Sequence, residues 1–90
     1  MKLWVDDIRP APSGYILCRS VKDAIALLKT GSVTDLDLDH DLGSYAIHGG
    51  DAINILDWCV QNEYFPRVRL HTMNPVGRQN MQRILDRYWS

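Results

Sequence analysis

Cysteine is scarce in this chain, which carries two, Cys18 and Cys59, in 90 residues. Two are too few for a disulfide framework, and they are not spaced as a metal-binding pair. Both sit among apolar neighbours, so both are expected as reduced packing residues. Long apolar runs are missing as well, and the first residues lack the basic segment and apolar stretch of a secretion signal. A cytoplasmic protein with no membrane attachment is expected. Neither sign of charge dominates: ten Lys and Arg stand against eleven Asp and Glu, a formal net charge of -1. No global field then draws the molecule to polyanions, bulk nucleic-acid binding is not expected, and any such contact needs a local patch. Repeats and low-complexity tracts are absent. What is present is ordinary globular usage, 46% hydrophobic and 23% charged, in a length that suits one domain.

The pattern along the chain alternates strand and helix. Residues Lys2 to Ile8 begin as an apolar run and are broken by RPAPSG, so a strand and then a loop are expected. Tyr15 to Cys18 reads as a second strand. Ser20 caps SVKDAIALLKTG, where Val21, Ile25 and Leu28 recur at helical spacing and Gly31 ends the run. Val33 to Asp39 alternates with period two, the mark of a strand with one apolar face. DAINILDWCVQN is a second helix, RVRLHTM a fourth strand, and Pro75 to Tyr88 a last helix with Val76, Met81, Ile84 and Leu85 on one side. Strands alternating with helices argue for parallel βαβ units joined by right-handed crossovers.

In parallel sheets, ligands bind beyond the carboxyl ends of the strands. There the first strand ends in Asp6 and Asp7, the third in Asp39, His40 and Asp41, and the fourth in His71, Thr72 and Asn74. Four carboxylates at close range cannot all stay ionised alone. Either a cation joins them or one takes a proton and serves as a general acid. Carboxylates suit Mg²⁺ or Mn²⁺, and imidazole widens the choice toward other transition metals. His40 and His71 could act as base and acid across a phosphoryl group, although a lone strand-end histidine is commonly a structural hydrogen-bonder. Asn74 before Pro75 reads as an N-cap, which turns a helix start toward the same edge as an anion site. Arg78 could add a bidentate phosphate contact, and Arg9 could approach from the first loop. Gly77 lets a ligand approach or relieves packing. Asp35 and Asp37 read as a solvated strand face, Trp4, Trp58 and Phe65 as core, Tyr45 as a stacking ring and His48 as an exposed loop residue.

Four stretches, LWVDDIRPAP, LDLDHDLG, GGDAINIL and LHTMNPVGRQNM, together resemble the cyclic-phosphate-processing receiver-like domain, a divergent branch of the response-regulator receiver fold. The likeness covers nearly the whole chain. In ordinary receivers an acidic pair after the first strand and an aspartate ending the third bind Mg²⁺, and that aspartate accepts a phosphoryl group. Asp6, Asp7 and Asp39 resemble these, and Thr72 resembles the hydroxyl residue ending the fourth strand. No helix is expected between the first two strands, and the fifth strand with its lysine has no counterpart. His40, Asp41, His71, Asn74 and Arg78 match the divergent family's own motifs.

The resemblance implies an α/β fold: a small three-layer, flavodoxin-like sandwich around a four-stranded, mainly parallel sheet, truncated relative to a full receiver. It also implies a metal-dependent phosphoesterase acting on a cyclic phosphate or cyclic nucleotide, with Mg²⁺ or Mn²⁺ held by Asp6, Asp7 and Asp39. His40, His71 and Asp41 would be catalytic, and Thr72, Asn74 and Arg78 would grip the phosphate. The expected partner is a small phosphorylated or cyclic nucleotide, and a homodimer through a sheet edge or the last helix stays open. A non-catalytic nucleotide binder is the alternative, with a phosphoacceptor switch ranked behind it because the lysine is missing.

Overall fold

The computed structural model describes residues 1–89. Its strands are β1 (Lys2–Val5), β2 (Tyr15–Cys18), β3 (Asp35–Leu38) and β4 (Arg67–Leu70). Its helices are α1 (Val21–Leu28), α2 (Ile53–Gln61) and α3 (Pro75–Tyr88), and a short 3-10 turn spans Gly43–Ile47. The strands lie in the order β2-β1-β3-β4, and every neighbouring pair is parallel. Among the described residues no helix is long and apolar enough to cross a membrane.

Local signals explain the boundaries. Ser20 Oγ accepts the Asp23 amide at 3.2 Å and starts α1, while Gly31, with φ +77°, closes the segment. Asn74 Oδ1 accepts the Gly77 amide at 3.0 Å and Pro75 takes the first position of α3. Strands β1, β3 and β4 are shorter than the stretches expected for them, while β2 spans Tyr15–Cys18 as expected. β1 stops at Val5 because the Asp6 carboxylate turns the chain by accepting the amides of Ile8 and Arg9, each at 2.9 Å.

The alternation of each strand divides the sheet into two unlike faces. Leu3, Val5, Leu36 and Leu38 are buried in one cluster with Val21, Ala24 and Leu28 of α1, Ile55, Leu56 and Cys59 of α2 and Met81 of α3. The opposite face carries Lys2, Trp4, Tyr15, Leu17, Asp35, Asp37, Arg67 and Arg69, and no described helix covers it. A shallow cavity of about 340 Å³ lies there among Lys2, Tyr15, Asp35, Asp37, Arg67 and Arg69. The fold therefore has two layers where three were expected. Both crossovers, β2 to β3 through α1 and β3 to β4 through α2, advance the same way across the sheet, and equal handedness then puts both helices on one side. The step back from β1 to β2, which would place a helix on the other side, is a loop.

Cys18 and Cys59 are both free and buried, as expected. Burial pushes the Cys18 thiol up to about 11 and the Cys59 thiol up to about 12. Other core assignments change. Val76 is 67% exposed and Phe65 46% exposed, because the apolar side of α3 meets the core only from Met81 onward and Phe65 sits edge-on against Trp89. Trp4 stands on the uncovered face, outside the core cluster.

β4 is an edge strand whose outward groups α3 partly occupies. Arg78 Nη1 donates to the Leu70 carbonyl at 3.1 Å, and Trp89 Nε1 donates to the Pro66 carbonyl at 2.7 Å.

Candidate active site

Two clusters form at the carboxyl edge of the sheet. The first rises from the uncovered face. Asp6 follows Trp4 by two residues, Asp39 follows Asp37, and His71 follows Arg69, so strand alternation turns them to the same side. Asp6 is 1% exposed. Its Oδ1 accepts the Ile8 and Arg9 amides, and its Oδ2 lies 2.9 Å from His71 Nε2. The other ring nitrogen, Nδ1, lies 2.6 Å from Asp37 Oδ1. The imidazole also stacks on the Trp4 indole, centroid to centroid 3.9 Å and 5° from parallel. A carboxylate oxygen stands at hydrogen-bond distance from each ring nitrogen. His71 thus has no free nitrogen, and proton exchange with a substrate requires one of these bonds to open.

Asp7 and Asp39 are half-buried beside Asp6. The three carboxylates offer one oxygen each within 4.8 Å of one another. Asp39 Oδ1 accepts the His40 amide at 2.8 Å. The turn after β3 comes close to this group: a Cβ on Gly43, whose φ is +56°, would lie 2.6 Å from Asp7 Oδ2.

The second cluster follows β3 onto the helical side. His40 Nδ1 lies 2.8 Å from Asp41 Oδ1, and Asn74 Nδ2 donates to both Asp41 oxygens at 3.2 and 3.1 Å. Thr72 Oγ1, in a buried residue, accepts the Asn74 amide at 3.1 Å. The His40 ring lies against the backbone of Gly77, where a Cβ would fall within 2.7 Å of its Nδ1 and Cδ2. Gly77 therefore serves packing, not ligand approach. Asp51 completes this group: one atom each from His40, Asp41 and Asp51 lie within 4.8 Å of one another, and Asp51 Oδ1 accepts the Leu42 amide at 3.1 Å.

At two of these carboxylates, Asp6 and Asp41, hydrogen bonds outweigh burial. Burial alone would push the Asp6 carboxyl up, but the Arg9 and Ile8 amides, with His71, outweigh it and hold the group below the usual carboxylate value. At Asp41 the bond from His40 is the main cause of a downward shift. Partial burial opposes it, and Asn74 reinforces it.

The structure thus gathers Asp6, Asp7, Asp39 and His71 on one side and His40, Asp41, Thr72 and Asn74 on the other. Arg78 stands apart, turned along the β4 edge to Leu70. The anion site at the start of α3 is smaller than its cap suggests, because Pro75 has no amide and Asn74 already takes that of Gly77. Arg9 is exposed, its amide on Asp6 and its carbonyl accepting from Arg19. Tyr45 is 40% exposed and His48 is exposed, its carbonyl holding the Lys22 amide. Asp37 departs from the solvated role expected of it: it is half-buried and bonded to His71, whereas Asp35 pairs with the exposed Arg67 at 2.8 Å. The sequence reading also passes over Asp51, for which the only signal is its place in GGDAINIL.

No curated protein and no solved structure matches the chain. The family model described as the cyclic-phosphate processing receiver domain matches residues 1–87. The chain belongs to that family.

Proposed function

We propose that the protein is a metal-dependent phosphoesterase that opens a cyclic phosphate or cyclic nucleotide. The observation that carries this reading is the convergence of Asp6, Asp7 and Asp39 within 4.8 Å at the carboxyl edge of the sheet. Their donor set fits a hard divalent cation, Mg²⁺ or Mn²⁺. Asp6 uses three of a carboxylate's roughly four acceptor positions, leaving one free. Asp7 accepts no hydrogen bond among the described residues. A cation bound there would neutralise phosphate charge and favour attack by water.

The chain's own residues divide the remaining work. Asp41 engages Nδ1 of His40 and leaves Nε2 available, the arrangement of a base oriented by a carboxylate. His71 holds Asp6 in place through the contact of its Nε2 with Oδ2. Thr72 and Asn74 set the shape of the phosphate side, and Arg78 reaches it by leaving Leu70.

A nucleotide binder without turnover is the second reading, favoured by the closed bonds of His71. Incubation of 2′,3′-cyclic, 3′,5′-cyclic and oligomeric cyclic nucleotides with Mg²⁺, Mn²⁺ or EDTA, followed by mass spectrometry, separates the two. The expected result is ring opening of one class, lost with EDTA and reduced at least about a hundredfold in Asp7→Ala, Asp39→Ala and His40→Ala. Retention of a nucleotide on filtration with no product under any condition overturns the esterase in favour of the binder.

A further inference from the structure

The ten cations are unevenly spread. Residues 62–90 hold five arginines (67, 69, 78, 83 and 87), no lysine and two acids, Glu63 and Asp86, a local charge of +3. Residues 1–61 hold five cations and nine acids, a charge of -4. The basic third folds into β4 and α3, and between them runs an open groove of about 640 Å³ whose lining includes Arg67, Arg69, Arg78, Leu85 and Trp89, with Asp86 as its one acid.

The groove is rich in donors. Residues 67 and 71 send their amides to β3, so alternation turns the amides of Val68 and Leu70 outward. The outward carbonyls of Pro66 and Leu70 are occupied by Trp89 and Arg78. An extended peptide adding to β4 would use the outward carbonyls of Pro66, Val68 and Leu70 and finds two of the three taken. An anion needs only the amides and guanidinium groups. Arg67 and Arg69 are both exposed and, two residues apart on a strand, stand about 6.6 Å from each other. Arginine pairs with phosphate through two bonds and stacks on planar rings. The half-buried Trp89 and half-exposed Phe65 add aromatic surface at the far end.

We propose that the β4–α3 groove binds single-stranded nucleic acid, its phosphates along Arg67, Arg69 and Arg78 and its bases toward the apolar floor. The occupied edge carbonyls favour this over an acidic polypeptide. Arg78 bonds the last residue of β4, next to His71 and Thr72, so a strand in the groove runs toward the acidic edge. Binding is independent of turnover.

Filter binding of radiolabelled RNA and DNA oligonucleotides of 2 to 12 nucleotides tests it, across a salt series and with Asp39→Ala as the chain. Affinity is expected to rise with length, with a log K against log salt slope of about -2 for three arginine contacts. The double variant Arg67→Ala/Arg69→Ala is expected to weaken binding roughly tenfold and flatten the slope by about 1.4. Lys22→Ala/Lys29→Ala, which removes equal charge from α1 and its C-terminal cap, is expected to change neither. Arg69→Gln/Arg78→Gln gives a second reading should the first variant fold poorly. Three results overturn the proposal: no oligonucleotide bound at low salt, equal binding by the arginine variants, or displacement by polyaspartate with no dependence on oligonucleotide length. Because Asp39→Ala is used throughout, failure of the groove and failure of the esterase reading are read separately.

Discussion

Asp6 is an ion held in a buried place by two amides and an imidazole. Its folded carboxyl ionises below the 3.8 of an unfolded chain, so its stabilising contribution is full above pH 3.8. The contribution drains away as pH falls from 3.8 through the lower folded value. Asp6→Asn, which keeps the shape but not the charge, is expected to cost about 2 kcal/mol at pH 7. It should also lose less stability than the parent between pH 5 and pH 3, as read by urea midpoints at each pH. Equal acid sensitivity in both chains would remove Asp6 from the account. The aspartates at strand ends were legible in the sequence because parallel topology sends strand ends to one edge. Asp37 was not. Its partner lies 34 residues away, and nothing local separates it from Asp35, whose partner is an exposed arginine.

Among the elements, α3 does three jobs: its cap fixes Asn74, its first turn seats the His40 ring, and its two ends bond the carbonyl of Leu70 in β4 and that of Pro66 just before it. Replacing a helical glycine by alanine ordinarily gains about 1 kcal/mol. At Gly77 the added Cβ meets the His40 ring, and overpacking of this kind costs about 1–3 kcal/mol. Gly77→Ala should therefore lower the melting temperature, by about 4–8 °C per net kcal/mol lost, while Gln79→Ala on the exposed side of the same helix should not. A higher melting temperature for Gly77→Ala would mean that the ring is not fixed there. The helices were readable from Ser20, Gly31 and Asn74, whose capping chemistry is local. The number of layers was misread although its signal was in view: Lys2, Asp35, Asp37, Arg67 and Arg69 alternate with the core residues, and a covered face would not carry them.

The molecule as a whole exposes 5240 Å², close to the roughly 5400 Å² of a compact monomer of its mass. The uncovered sheet face is thus ordinary surface by area and unusual only in what stands on it. The chain has three tryptophans. Trp58 packs against the core and Trp89 lies at the end of α3. Trp4 alone lies against the acidic edge, in van der Waals contact with His71 and with its buried Nε1 lacking a hydrogen-bond partner among the described residues. An imidazole pressed flat on an excited indole drains its energy without light. His71→Ala should therefore brighten the native emission, and Trp4→Phe in the same background should cancel the gain. An unchanged spectrum would mean that the two rings are apart in solution. Whatever draws the imidazole away from Asp6, a cation or a phosphate, then becomes visible as fluorescence from the unlabelled chain.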